Sequence, residues 1–242
     1  MLSAKPWRAE AVILFCLAQF VCLCLGMTAA GLLQKFGVNG FKSPDDFGNV
    51  LLATLCFQGA TWVLIPIFLR QHQTGWREAF GWRGPKLNRA LLLAVAFVIV
   101  ILPVAWLLQK VSVSALTRLG WPPADQTAVA LIMAAKSLWL KIYLGVFAVV
   151  LAPVAEEFIF RGMLFPFVKK LGYPRFAWFG VSFLFALIHF DAAIFVPLFV
   201  LALALTWLYE FTDNLLAPIV AHSLFNAANL ALLCFFQNKS GG

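Results

Sequence analysis

Six polar side chains between residues 156 and 226 are of the kinds that move, hold or bind protons, and each is set in strongly apolar sequence. Glu156, Glu157 and Arg161 stand in Ala-Pro-Val-Ala-Glu-Glu-Phe-Ile-Phe-Arg-Gly, His189 in Phe-Ala-Leu-Ile-His, and His222 with Asn226 in His-Ser-Leu-Phe-Asn. A charged group at the centre of a membrane helix costs on the order of 3 kcal/mol on insertion scales, so it is kept for a partner or for a reaction. Neighbours on a helix point about 100° apart, so Glu156 and Glu157 cannot serve the same partner. Glu157 and Arg161 are i and i+4 with the acid first, the spacing at which the two pair on one face. Glu156 is left without a cation in its own helix, and proton transfer as a general base explains it better than structure does. His222 and Asn226 are also i and i+4, an imidazole and an amide on one face, which is the donor pair a developing oxyanion needs. His189 comes from a separate segment, with Phe185 one turn before it.

Taken singly, these groups have plain structural explanations: an intramembrane histidine often bonds between helices, and an i, i+4 acid and base are often just an ion pair. One unpaired carboxylate, two imidazoles and an amide together point to a site. Asp191, Glu210 and Asp213 fall at the ends of expected spans, where reaching water is explanation enough. Pro153 removes a backbone hydrogen bond just before Glu156 and is expected to kink the helix and admit water there. His72 lies in a loop; it, the cysteines and the tryptophans receive no catalytic role.

The elements that must position these groups follow from composition. Of 242 residues 63% are hydrophobic and 12% charged, with 25 Phe, 9 Trp and a mean hydropathy of +0.91. A soluble domain carries about a quarter charged residues, whereas about 150 apolar positions supply six to eight spans of about 20. That excludes a cytosolic enzyme, a nucleic-acid-binding domain, a disulfide-rich scaffold and a disordered tail. Uncharged runs mark seven spans, at 11–33, 47–69, 90–109, 142–155, 176–190, 192–209 and 214–238, and the stretch 125–141 is a candidate eighth helix. The sequence thus predicts an all-α polytopic transmembrane bundle of seven or eight spans, a single integral-membrane domain over 1–242.

Lys5 and Arg8 precede a first uncharged run too long for a cleaved signal peptide, so that run is read as a retained span. The net charge of +8 is scattered between apolar segments rather than gathered into a nucleic-acid stripe. Placing the N-terminus inside puts ten Lys and Arg on the inner loops and seven on the outer, which favours a cytoplasmic N-terminus. The five cysteines all lie in apolar stretches with no C-x-x-C pair and are read as packing residues.

Glu156-Glu157-x-x-x-Arg161, Phe185-x-x-x-His189 and His222-x-x-x-Asn226, in this order and on separate hydrophobic segments, resemble the motifs of the CPBP family, the CAAX protease and bacteriocin-processing intramembrane endopeptidases. Arg161-Gly162-Met163-Leu164 matches the continuation of the first motif, and the basic loop Trp76 to Arg83 resembles one such chains carry upstream. The likeness covers roughly 137–230, the motif-bearing half, and the first half by hydropathy alone. It implies hydrolysis of a peptide bond in a membrane-associated peptide or protein, inside or at the edge of the bilayer. Glu156 would activate water with help from His189, His222 and Asn226 would stabilise the oxyanion, and Glu157 with Arg161 would hold the motif helix. The family is often described as metalloprotease, yet no H-E-x-x-H is present. No cofactor is fixed by the residues: zinc would have to draw on Glu156, His189 and His222, and metal-free activation of water stands beside it. Pro166 leaves the length of the motif helix open. Eukaryotic members remove the last three residues of prenylated CAAX peptides; with no eukaryotic targeting signal in view, a bacterial cytoplasmic membrane is expected rather than the ER. The rival class is a non-proteolytic membrane protein, namely a scaffold, a bacteriocin self-immunity factor or a transporter coupling protons through Glu156.

Overall fold

The computed structural model describes residues 2–42, 46–82, 86–121, 132 and 138–240, and these contain helices and no strand. Among the described residues five helices are long and apolar enough to cross a membrane: α1 (Ala9–Lys35), α2 (Phe47–Gln71), α3 (Lys86–Arg118), α4 (Leu138–Lys170) and α6 (Ala192–Thr212). Two further apolar helices, α5 (Pro174–Leu187) and α7 (Leu216–Ser240), bring the total to seven, matching the seven uncharged runs. The chain is a multi-pass membrane protein. The candidate eighth helix at 125–141 lies largely outside the described residues, and its last residues, from Leu138, begin α4.

Packing follows small residues. Ala90, Ala94, Val98, Ile101 and Ala105 form a stripe along α3 that meets Leu201, Leu205 and Leu208 of α6 and Ala217 and Ala221 of α7. Small side chains let helix backbones approach closely where apolar burial gives no advantage over lipid. A second, aromatic cluster joins Phe15, Phe68, Phe158, Phe165, Phe185 and Tyr209. Apolar residues on the outer faces, such as Phe20, Leu25, Leu92 and Ile99, stay exposed, as lipid contact requires.

Two expectations change. The run 142–155 ended at the glutamates, but α4 continues through Glu156, Glu157 and Arg161 to Lys170, 33 residues in all. A charge count stops where charges begin, whereas an internally paired set can stay inside a helix. The His189 segment is shorter than expected: α5 ends at Leu187, and His189 lies in the turn before α6, where Phe190 takes φ +50° and Asp191 caps Ala193 N–H at 2.8 Å. Fourteen residues rise about 21 Å, short of the roughly 30 Å hydrocarbon core. The His189 turn therefore stands at membrane depth, where irregular backbone is tolerated only beside protein or a polar cavity.

Among the described residues three stretches open from α into π geometry: Leu55–Gly59 in α2, and Phe147–Leu151 and Phe158–Leu164 in α4. In α4 each is followed by a proline at the start of the next α turn, Pro153 and Pro166. A proline lacks the N–H and crowds the carbonyl four residues back; the widened turn ahead of it relieves that conflict, so the helical run continues past both.

One end of the bundle gathers basic residues from several segments. Arg8 donates to the Gln71 carbonyl and through its backbone N–H to His72 Nε2, both at 2.9 Å. Lys170 bonds the Trp7 carbonyl, Lys5 pairs with Asp213 at 3.2 Å, and Leu216 N–H meets the Phe80 carbonyl. The N-terminal segment, the 70–82 loop, the α4–α5 turn and the α6–α7 turn therefore share a face, as the charge pattern predicts. Glu210 takes both Lys169 and the Trp178 indole.

Candidate active site

The core of the site is Glu157. Its Oε1 accepts from Arg161 Nη1 at 2.8 Å, the predicted i, i+4 pair, and from His222 Nδ1, also at 2.8 Å. Arg161 Nη2 continues to the Ala202 carbonyl of α6 at 3.0 Å, and its guanidinium lies 4.6 Å above the Phe185 ring. Glu157 and Arg161 are fully buried, so one acid–base pair ties α4 to α6 and α7 in a medium where an unpaired charge would be costly.

Because Nδ1 of His222 faces a carboxylate, that nitrogen carries the proton and Nε2 is turned outward from the pair. Nε2 stands 4.0 Å from Glu156 Oε2, the carboxylate that helical geometry left over. His189 Nδ1 lies 2.8 Å from the Phe185 carbonyl; a carbonyl only accepts, so Nε2 of His189 is likewise the free nitrogen. The Phe185 ring lies 5.0 Å from the His189 ring and 5.8 Å from that of His222, with Arg161 above it. Glu156, Glu157, Arg161 and His222 are thus in direct contact or one water apart, and His189 joins them across one aromatic ring.

Asn226 sits differently from expectation. Its Nδ2 donates to the Ala148 carbonyl at 2.9 Å, within the first π stretch of α4. Widening the ladder from i+4 to i+5 loosens the backbone bonds there, and a loosened carbonyl must find another donor. The amide keeps one further N–H, one turn along α7 from His222.

Spacing did not reveal the bond from Glu157 to His222, which joins residues far apart in sequence, nor the Phe185 ring as the common wall; the Phe185-x-x-x-His189 pair was its only trace. Trp7 was also missed. Its indole N–H reaches the Gly162 carbonyl at 2.6 Å, next to Arg161, and nothing about a tryptophan between Lys5 and Arg8 distinguishes it from an interfacial belt residue.

Donors for a metal are present in kind, Glu156 with two free imidazole nitrogens, but among the described residues no three His, Cys, Asp or Glu side chains stand as one ligand cluster.

No curated protein and no solved structure matches the chain. Residues 137–228, less than half of the chain but the part that holds all six side chains, match the family described as type II CAAX prenyl endopeptidase Rce1-like, a protease family, and that likeness is consistent with the CPBP motifs carried there.

Proposed function

We propose that the chain is an intramembrane endopeptidase, CAAX-protease-like, that hydrolyses a peptide bond of a membrane-associated substrate with water activated by Glu156. The observation that carries the reading is the 4.0 Å gap between Glu156 Oε2 and His222 Nε2, with Glu157 on the far side of the same imidazole. Two carboxylates, one guanidinium and one imidazole are neutral as a set when Glu156 and His222 hold one extra proton between them, and a buried set favours neutrality. A proton shared over that gap is what water activation uses.

Water bound at Glu156, with His189 Nε2 as a second acceptor, gives its proton to the carboxylate as its oxygen bonds to the scissile carbonyl carbon. The oxyanion is met by His222 Nε2–H, whose positive charge Glu157 stabilises from the other side, and by the remaining N–H of Asn226. Collapse of the tetrahedral intermediate breaks the C–N bond, and Glu156 returns its proton to the leaving amine. Arg161 touches no reacting atom; it holds Glu157.

The test is cleavage of a membrane-anchored reporter peptide by purified protein, wild type beside Glu156→Ala. Loss of cleavage in the variant is expected, and equal cleavage by both would overturn the reading. Turnover is expected to persist in a chelator at neutral pH; loss that added zinc restores would move the mechanism to metal activation. We place the basic face in the cytoplasm of a bacterial cell. An Arg77→Cys variant labelled by an impermeant thiol reagent from outside would reverse that orientation.

A further inference from the structure

We infer that Trp7 is a positioning residue for this site, the working end of a strap, Ser3 to Arg8, that fixes the register of the motif helix. The kinetic part of the inference rests on the endopeptidase reading; the structural part does not.

A belt tryptophan lays its ring among lipid headgroups. Trp7 is 3% exposed, with its ring edge-on to Phe68 at 5.0 Å and to His72 at 5.1 Å. The indole N–H, a donor only, is spent on Gly162 in the second π stretch of α4. That residue directly follows Arg161, and its space is bounded on another side: a Cβ there would meet Leu215 Cδ2 at 3.0 Å. Gly162 is thus held between the strap and the α6–α7 turn. A shift of Gly162, and with it of Arg161, away from Trp7 stretches the indole bond, and one toward Leu215 closes the little space left there.

The rest of the strap is anchored on the elements that complete the site. Ser3 Oγ and Lys5 Nζ reach Asp213 Oδ1 at 2.9 and 3.2 Å, at the corner leading into α7 and His222. Arg8 is bonded to the end of α2, and the Trp7 carbonyl accepts from Lys170 at the end of α4. The strap therefore joins the helix carrying Glu157 and Arg161 to the corner that places His222. The Glu157–His222 bond spans those same two elements.

The test is Trp7→Phe, which keeps an aromatic ring and removes the donor. Two readouts are compared on purified full-length protein in detergent: the histidine Nδ1–H resonances of 15N-histidine-labelled protein, assigned with His222→Gln and His72→Gln, and the kinetics on the reporter peptide. Positioning predicts that the His222 signal shifts or broadens while that of His189 does not, and that kcat falls about fivefold to tenfold at unchanged KM, the effect of one ordinary hydrogen bond acting on the barrier. A lower unfolding temperature with the His222 signal and kcat unchanged would make Trp7 merely structural and overturn the inference. Should Trp7→Phe not fold, Ser3→Ala with Lys5→Ala releases the strap at Asp213 and leaves Trp7 in place; a smaller shift of the same His222 signal supports the strap, and an unmoved signal overturns it. A wild type that cleaves nothing, together with a variant that shifts His222, would remove the endopeptidase reading and leave the strap standing.

Discussion

The same backbone device occurs in both halves of the molecule with different company. In α2 the π stretch Leu55–Gly59 offers its Cys56 and Phe57 carbonyls to Gln19 Nε2 of α1 at 3.1 and 2.9 Å, and the Thr61 hydroxyl shares its one proton between the Phe57 carbonyl at 2.7 Å and Gln19 Oε1 at 3.2 Å. In α4 the two π stretches offer Ala148 to Asn226 and Gly162 to Trp7. All three are widened turns with a carbonyl claimed from outside the helix. The Gln19–Thr61 group on α2 is neutral throughout, whereas in α4 Glu156 and Glu157 lie between the two widened turns and Arg161 within the second, and Glu157 Oε2 and Arg161 Nε have no hydrogen-bond partner among the described residues. A π turn therefore marks a place where helices are stitched together. Chemistry needs the ionisable groups held between two such stitches.

This contrast is most severely tested at Glu157. Glu157→Gln leaves Arg161 a buried cation and weakens the hold on His222, so a loss of about 3 to 5 kcal/mol is expected, read as lower detergent-solubilised thermal stability together with lost turnover. Arg161→Gln should resemble it, and the double variant should be less harmful than the sum of the two, because both ends of one pair are gone. Equal and additive damage would mean that no coupled pair exists.

Glu156→Gln comes next. It keeps shape and hydrogen bonding but removes the base, so the unfolding midpoint should hold while turnover falls by at least ~10², the lower end for general-base catalysis. A Glu156 variant that unfolds beside a stable but inactive Glu157 variant would exchange the two roles.

How far the sequence could be read follows from the range of each interaction. The division between the two glutamates was legible because it depends on neighbours one and four residues apart, and the structure pairs Glu157 with Arg161 accordingly. The seven apolar segments were legible because hydrocarbon permits little else. Helix lengths were not: α4 runs through its charges because they neutralise one another across helices, and α5 stops before His189 because Asp191 caps the next helix. Nor were the π turns. Pro153 and Pro166 mark where two of them end, but a proline read locally signals a kink. The destinations of Asn226 and Trp7, both backbone carbonyls on a distant helix, leave no mark in local spacing.

The smallest effect belongs to the neutral stitch, and it is the one that separates stitching from chemistry. Gln19 is buried and satisfies two carbonyls while accepting from Thr61. Gln19→Leu fills similar volume but strips both carbonyls of their donor and Thr61 of one acceptor. Thr61 can still donate to Phe57, so Cys56 bears most of the loss, and a stability cost of about 1 to 3 kcal/mol is expected, the range for a buried group left unsatisfied. Adding Thr61→Val should not double the damage, since the two side chains share one network. Turnover per folded molecule should match wild type, because the hydrogen bonds of both side chains stay within α1 and α2 and reach neither the helix that carries Glu156 nor the one that carries His222. If Gln19→Leu lowers turnover without lowering stability, the α2 turn is coupled to the site and the division between the two halves fails; a stable, fully active variant would show that its hydrogen bonds contribute nothing measurable to holding α1 on α2.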